Sequence, residues 1–152
     1  MTSDQAASDQ AASVYDAEHL VSPTVGRFAT FAALKSFVSQ VVADDRWTDE
    51  LARRWVALTP HEVVVVRRSR SATFSAAEEQ RPVIHIVDGQ WDRITVLHEL
   101  AHLVARDPWS HGPRFCGVEL DLVRWWCGID AWAELSAAFV VNQVVVAAPT
   151  RD

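Results

Sequence analysis

Residues 82–102 place a β-branched segment, a turn and an amphipathic helix in direct succession, and they read PVIHIVDGQWDRITVLHELAH. Segment 82–87 is apolar and β-branched, which is typical of a strand, and an Asp-Gly turn signal follows it. Residues 91–106 then carry apolar side chains at helical spacing. Asp92 lies in the first turn, where the helix dipole favours a carboxylate. The pattern predicts a strand followed directly by a helix.

The segments on either side of this stretch predict the fold class α+β. Two further short strands are predicted, and the first contains four consecutive valines, a pattern typical of a buried strand. Three short strands between helices indicate a small antiparallel or mixed sheet packed with helices. Segment 14–21 fits either a strand or a short helix. The remaining predictions are strands at 62–67 and 71–75 and helices at 30–42 (with Thr30 as N-cap), 48–58, 113–127 and 129–148.

Length and composition indicate one domain. The chain has 152 residues, of which 49% are hydrophobic and 22% charged, as expected of a single globular unit. The polar repeat Ser-Asp-Gln-Ala-Ala occurs at 3–7 and again at 8–12, and such a segment cannot bury a core. We therefore expect a disordered N-terminal tail at 1–13, or alternatively a frayed helix. A single domain at 14–148 and a C-terminal tail at 149–152 follow.

Charge and hydropathy exclude several classes of protein. The formal net charge of −6 makes nucleic acid an improbable partner. The longest apolar stretch, at 137–148, is interrupted by polar residues and too short to cross a membrane. The N-terminus shows no secretory signal, so we expect a cytoplasmic location, with Cys116 and Cys127 as free thiols. Nothing in the sequence specifies an oligomeric state.

The chemistry is carried by His98-Glu99-Leu100-Ala101-His102, an H-E-x-x-H motif. On a helix, positions i and i+4 project from one face, so His98 and His102 can bind one Zn²⁺ ion. Zinc lowers the pKa of a bound water molecule, and the adjacent Glu99 can take its proton as the general base. The motif therefore predicts a zinc site with one catalytic carboxylate.

A third zinc ligand is needed, and three residues are candidates. His111 lies nine residues after His102, and the Asp107-Pro108 pair between them breaks the helix so that the chain can turn back. Glu119 or Glu134 on a following helix would give a thermolysin-like site. His111 is the preferred ligand. A metzincin site is excluded because Ala105 and Pro108 occupy the positions where that pattern needs Gly and His.

The pair His98-Glu-Leu-Ala-His102 and His111-Gly-Pro-Arg-Phe115 resembles the signature of SprT-like zinc metallopeptidases. The wider layout, which opens with Val-Tyr-Asp-Ala-Glu at 14–18, is more similar to a small family of zincin metallohydrolases from actinobacteria and their phages. The resemblance covers roughly residues 14–139. It implies a small zincin-like domain in which His98, His102 and His111 bind zinc and Glu99 is the base.

These patterns predict a zinc-dependent metallopeptidase that acts on a peptide or protein. The alternatives are a zinc-containing peptide-binding module without turnover and, from the arginine cluster 67–70, a DNA-associated protein. If strand 82–87 lies at a sheet edge, a peptide can add to it by main-chain pairing. Further carboxylates should orient the imidazoles, and the candidates are Asp107, Glu119 and Asp121; the preferred interpretation of each is a solvated charge at a helix end. Sequence does not place Tyr15, and Arg114 is expected to be exposed.

Overall fold

A computed structural model describes residues 9–151, and within that range it confirms the α+β class. The described part contains six α-helices and one three-stranded sheet. The helices are α1 (Ala11–Val21), α2 (Phe31–Ala43), α3 (Ala52–Trp55), α4 (Arg93–Ala105), α5 (Pro113–Cys127) and α6 (Ile129–Val141), and the strands are β1 (Val64–Arg68), β2 (Ala76–Glu78) and β3 (Val83–Val87). A 3-10 turn, Ser22–Thr24, follows α1, and a π-helical segment, Arg46–Leu51, leads into α3.

The sheet is mixed, as predicted, but β3 is its central strand. It pairs in parallel with β1, with Val65 opposite Ile84, and antiparallel with β2, with Ala77 opposite Ile84. The condition for peptide pairing on strand 82–87, a position at the sheet edge, is therefore not met. Its apolar residues are buried on both faces, which suits a strand with a neighbour on each side. β2 is the edge on one side, and β1 is the edge on the other.

The other two strand predictions need correction. The valines before Arg67 are not uniformly buried: Val64 is 57% exposed and Val66 is 36% exposed, because β1 is an edge strand with one face uncovered. No strand forms at 71–75, and the third strand lies at Ala76–Glu78 instead. Ser75 is buried, and its Oγ accepts a hydrogen bond from the Val87 amide (3.1 Å), which takes the place of a ladder bond at the end of β3.

Segment 14–21 is helical, and the helix begins before the predicted start of order. α1 starts at Ala11, so the last residues of the predicted tail 1–13 are helical. Residues 1–8 of that tail lie outside the described residues. Val14, Ala17 and Val21 are buried at helical spacing where α1 packs on α6.

The helices α2 and α3 agree only in part with the helices predicted at 30–42 and 48–58. Thr30 caps α2 as predicted, with its Oγ1 accepting from the Ala33 amide at 3.0 Å. The helix predicted at 48–58 is shorter, because Val56 adopts a left-handed conformation (φ 48°) and ends α3. Trp47 and Trp55 of this region are buried, whereas Leu58 is exposed.

The helices α4, α5 and α6 form the body of the core and position the site. Asp92 caps α4, and its Oδ1 accepts from the Thr95 amide at 2.9 Å. α6 is shorter than the predicted 129–148: Gln143 has φ 57°, and the Val144 amide donates to the Phe139 carbonyl, which ends the helix. The chain then returns across α5, where the Ala147 amide donates to the Pro113 carbonyl.

Within the predicted C-terminal tail 149–152, the Arg151 amide donates to the Arg54 carbonyl, so this residue contacts the domain; residue 152 lies outside the described residues. Within residues 9–151 no helix combines the length and the apolar character that crossing a bilayer requires.

Candidate metal centre

The three predicted histidines converge on one point. His98 and His102 lie one turn apart on the same face of α4, and His111 reaches them from the loop before α5. The Nε2 atom of His111 is 3.1 Å from Nε2 of His98 and 3.2 Å from Nε2 of His102. A tetrahedral zinc ion with nitrogen ligands at about 2.0–2.1 Å holds those nitrogens about 3.3–3.4 Å apart. The spacing therefore fits three imidazole ligands around one ion.

Asp107 shapes the loop that carries His111. Its Oδ1 accepts from the Trp109 amide at 2.8 Å, and its Oδ2 accepts from the Phe115 amide at 3.1 Å. A Cβ atom added to Gly112 would lie 2.5 Å from Asp107 Oδ1, so only glycine fits beside this carboxylate. Asp107 was one candidate to orient an imidazole. It acts instead on the backbone of the loop, because both of its oxygens are used by main-chain amides.

Two buried carboxylates flank the other nitrogen of His98. Nδ1 of His98 lies 2.6 Å from Glu18 Oε1, and Glu119 Oε2 lies 3.3 Å from the same nitrogen. Glu18, His98 and Glu119 are all buried. An N–H at Nδ1 donates to Glu18, and this leaves the Nε2 lone pair directed at the other histidines.

This geometry decides between the candidates for the third ligand. Glu119 contacts His98 from the Nδ1 side, as an orienting carboxylate, and does not reach the point where the three Nε2 atoms meet. Glu134 is exposed on α6 and belongs to neither group of potential ligands found among the described residues. Asp121 is also not an orienting residue, since it pairs with Arg54 (2.9 Å) and accepts from the indole of Trp55 (2.8 Å).

Sequence reasoning missed the role of α1 in the site. Glu18 lies in the Val-Tyr-Asp-Ala-Glu opening, but no local spacing links it to the motif 80 residues later. One turn earlier, Tyr15 stacks its ring on His98 with 5.2 Å between centroids, and the ring is 5.4 Å from that of His111. The single tyrosine thus forms part of the site. Arg114 does not, because its Nε donates to the Ala105 carbonyl at the end of α4.

The segment before α1 also contacts His111. Nδ1 of His111 is 3.1 Å from Asp9 Oδ1, and the Gln10 side chain donates to the His111 carbonyl at 3.2 Å. An N–H at Nδ1 donates to Asp9, so His111, like His98, presents its Nε2 lone pair to the shared point. The Nε2 atoms of His98 and His111 are 3.1 Å apart, and their lone pairs repel each other unless a proton or a cation lies between them.

Burial controls the charges of the ligands. Burial, with the neighbouring charges of His98 and His111, lowers the pKa of His102 to about 2, and burial also lowers the pKa of His111. Both imidazoles are therefore neutral and able to bind a metal. Burial opposes the charge on His98, but Glu18 and Glu119 outweigh it and raise the pKa of His98 well above its usual value. Positive charge is thus stabilised on His98, next to the two carboxylates, and disfavoured on His102 and His111.

Burial likewise raises the pKa of the carboxyl groups. The pKa of Glu18 rises to about 8, because burial and the nearby Glu119 both disfavour its ionised form. Burial raises the pKa of Glu99 to about 7. The Glu99 carboxyl has no hydrogen-bond partner within the range 9–151. A carboxyl group with a pKa near neutrality, next to a metal-binding point, is suited to general acid–base chemistry.

Two clefts open beside Glu99. One has a volume of about 260 Å³ and reaches along α4 from Asp92 to His98. The other, of about 250 Å³, passes over His102 and His111. Tyr15, Phe74, Ser75 and Glu99 line both clefts. The histidines are thus accessible from two sides, while the two carboxylates at His98, Glu18 and Glu119, are buried.

Comparisons of the chain with protein-family models, with curated proteins and with solved structures each find no match. The fold and the site nevertheless indicate a general class of protein, one with a possible metal-binding site. This is a small α+β protein in which the side chains of His98, His102 and His111, with Glu18 and Glu119 behind them, can hold a metal ion.

Proposed function

We propose that the protein is a zinc-dependent metallohydrolase, and specifically a peptidase of the SprT-like zincin type. The observation that carries this proposal is the convergence of the Nε2 atoms of His98, His102 and His111, with separations of 3.1 and 3.2 Å, next to the buried Glu99.

Zinc is the metal that suits these ligands. Imidazole nitrogens are good zinc ligands, and three protein ligands with a fourth position left open are typical of catalytic rather than structural zinc sites. The carboxylates of Glu18 and Asp9 at the Nδ1 atoms support this assignment, because such partners orient ligand histidines and raise their basicity.

Glu99 is the proton-transfer group in this proposal. When bound, zinc polarises the scissile carbonyl and lowers the pKa of a water molecule. Glu99 takes the proton of the attacking water and delivers it to the leaving amine. Its raised pKa, about 7, lets the carboxyl group both accept and release a proton near neutral pH.

A peptide substrate fits the edge strand next to the site. β2 pairs with β3 on one side only, and Ala76 and Ala77 of β2 line the cleft over His102 and His111. An extended peptide can add to this edge by main-chain hydrogen bonds, which is the role first expected of strand 82–87. Tyr15, at the opposite wall, is the candidate to contact the polarised carbonyl oxygen.

A binding module with the same zinc site and no turnover is the main competing function. Such a module has no need of Glu99, and burying an ionisable side chain that makes no structural contact is costly. Its retention beside the three histidines favours an enzyme.

The test combines metal analysis with one substitution. The parent protein should contain one zinc per chain, and His111→Ala should lose most of it. Glu99→Gln should retain zinc but lose cleavage of a casein or mixed-peptide substrate, whereas the matched surface variant Glu62→Gln should cleave normally. Equal cleavage by Glu99→Gln and the parent would falsify the peptidase proposal. Full zinc occupancy without cleavage by any variant would favour the binding module.

A further inference from the structure

A second pocket, of about 210 Å³, adjoins the metal-side cleft at the turn after β3. We call it the arginine pocket, and its walls are Arg27, Phe28, Arg67, Arg70, Asp88, Gly89 and Trp91. None of these residues takes part in the metal site.

The arginine pocket carries an excess of positive charge. Arg67 is neutralised by Asp88 through two hydrogen bonds of 2.7 and 3.1 Å. Arg27 donates to the carbonyl oxygen of Gly89, which is uncharged. Arg70 lies against Gly89, where an added Cβ would be 3.5 Å from Arg70 Nη1, and it has no acceptor within the described part of the chain. Three guanidinium groups thus face one carboxylate.

The pocket is aromatic as well as basic. The Arg67 guanidinium lies 5.1 Å from the Trp91 ring, and the Arg70 guanidinium beside Gly89 has donors that no residue in the range 9–151 accepts. A pocket with unused guanidinium donors and an aromatic wall is complementary to a planar anion, because a guanidinium binds a carboxylate through two parallel hydrogen bonds.

We propose that the arginine pocket binds the carboxylate of an acidic residue in the peptide substrate. This inference rests on the proposed peptidase function, since it makes the pocket a specificity subsite of the same cleft. The link is Gly89, which lines both the arginine pocket and the cleft that ends at His98 and Glu99.

The length of the cleft sets where the acidic residue lies. Asp92 and His98 are six residues apart on α4, which corresponds to about 9 Å along the helix. An extended peptide spans that distance in about three residues. The arginine pocket lies beyond Asp92, so the preferred substrate has Asp or Glu at least about three residues from the cleaved bond.

A nucleic-acid phosphate offers similar chemistry to the arginine pocket. The peptide carboxylate is favoured because the pocket continues into the metal-side cleft, and because the chain carries a net charge of −6, which opposes binding of a polyanion.

The test measures binding and cleavage separately. Short fluorescent alanine-based peptides with one Glu moved stepwise along the chain, each with a matched Gln peptide, are titrated into zinc-loaded Glu99→Gln protein. At one position the Glu peptide should bind about tenfold more tightly than its Gln partner, as expected of a charge-assisted hydrogen bond. Arg70→Gln should remove this preference. Arg124→Gln, which removes the same charge on α5, should keep it.

Three results overturn the inference. The first is equal binding of the Glu and Gln peptides at every position. The second is an equal effect of Arg70→Gln and Arg124→Gln on the preference for Glu. The third is that Arg70→Gln loses binding of a single-stranded oligonucleotide while the parent shows no preference between the peptides. Cleavage by the parent shows which proposal fails. If the parent cleaves peptides without preferring an acidic residue, only the proposed subsite is contradicted. If the protein binds acidic peptides through Arg70 but cleaves none, the proposed peptidase function is contradicted and the carboxylate-binding role of the pocket is retained.

Discussion

The carboxylate of Glu18 on α1 lies 2.6 Å from Nδ1 of His98 on α4, although 80 residues separate the two in the chain. This contact fixes which nitrogen of His98 faces the other histidines. It also connects the first helix to the metal centre, so that the fold of the N-terminal part and the metal affinity depend on each other.

Glu18→Gln should weaken zinc binding by about 10–100-fold, because the amide is a weaker acceptor for the Nδ1–H of His98 and cannot take a negative charge when a metal ion binds at Nε2. The measurement is a competition for zinc with a chromophoric chelator. Asp16→Asn is the matched control, since Asp16 is exposed on the same helix and should leave the affinity unchanged. Equal affinities for Glu18→Gln and the parent would show that the contact does not orient His98.

Gly112→Ala should disturb the loop that carries His111. Its φ of −74° is open to alanine, so the effect comes from the contact with Asp107 alone. Displacement of Asp107 weakens its hydrogen bonds to the Trp109 and Phe115 amides, each worth about 0.5–1.5 kcal/mol. We expect a lower midpoint of thermal unfolding together with reduced zinc content. A variant as stable and as zinc-rich as the parent would contradict this account of the loop.

Gly117→Ala should destabilise the protein, although alanine normally favours a helix interior by about 1 kcal/mol over glycine. An added Cβ would lie 2.2 Å from Cη2 of the buried Trp55 and 2.6 Å from the Ala147 carbonyl oxygen. Overpacking of this kind costs about 1–3 kcal/mol. Urea unfolding should show the loss, and combining the change with Trp55→Leu should cost less than the sum of the two single variants. A gain in stability would mean that the C-terminal segment does not pack on α5.

Tyr15→Phe should retain zinc and lower kcat by about 10–100-fold if the hydroxyl stabilises the polarised carbonyl oxygen. The ring that stacks on His98 is preserved, so the change isolates the hydroxyl group. The readout is kcat and KM for a peptide that the parent cleaves, together with zinc content. An unchanged kcat would leave Tyr15 with a packing role only.

Local patterns predicted the elements whose signals lie close together in the chain. The i, i+4 spacing places His98 and His102 on one helix face, and the Asp107-Pro108 pair ends that helix so that His111 can return. The cap at Thr30 was also predicted, because such a side chain bonds an amide only three residues ahead. Asp92 was expected inside the first turn of the helix and instead caps it from the position before Arg93.

Predictions failed where the outcome depended on pairing between distant segments. The four valines before Arg67 and the segment at 82–87 have similar composition, yet β1 is an edge strand and β3 is central. Strand order is set by which segments meet in three dimensions. For the same reason α6 ends at Val141, where a left-handed Gln143 lets the chain return over α5, and not at the last apolar residue.

Sequence alone predicted which histidines come together. His98 and His102 lie one helical turn apart with Glu99 between them, and His111 follows a helix break, so their relative positions depend on backbone geometry over a few residues. Tertiary packing alone decided the surroundings. Glu18, Tyr15 and Asp9 at the histidines, and the arginine pocket beside them, arise from contacts between segments that no short-range periodicity relates. Burial then shifts the pKa of Glu99 upward, which only the folded chain can do.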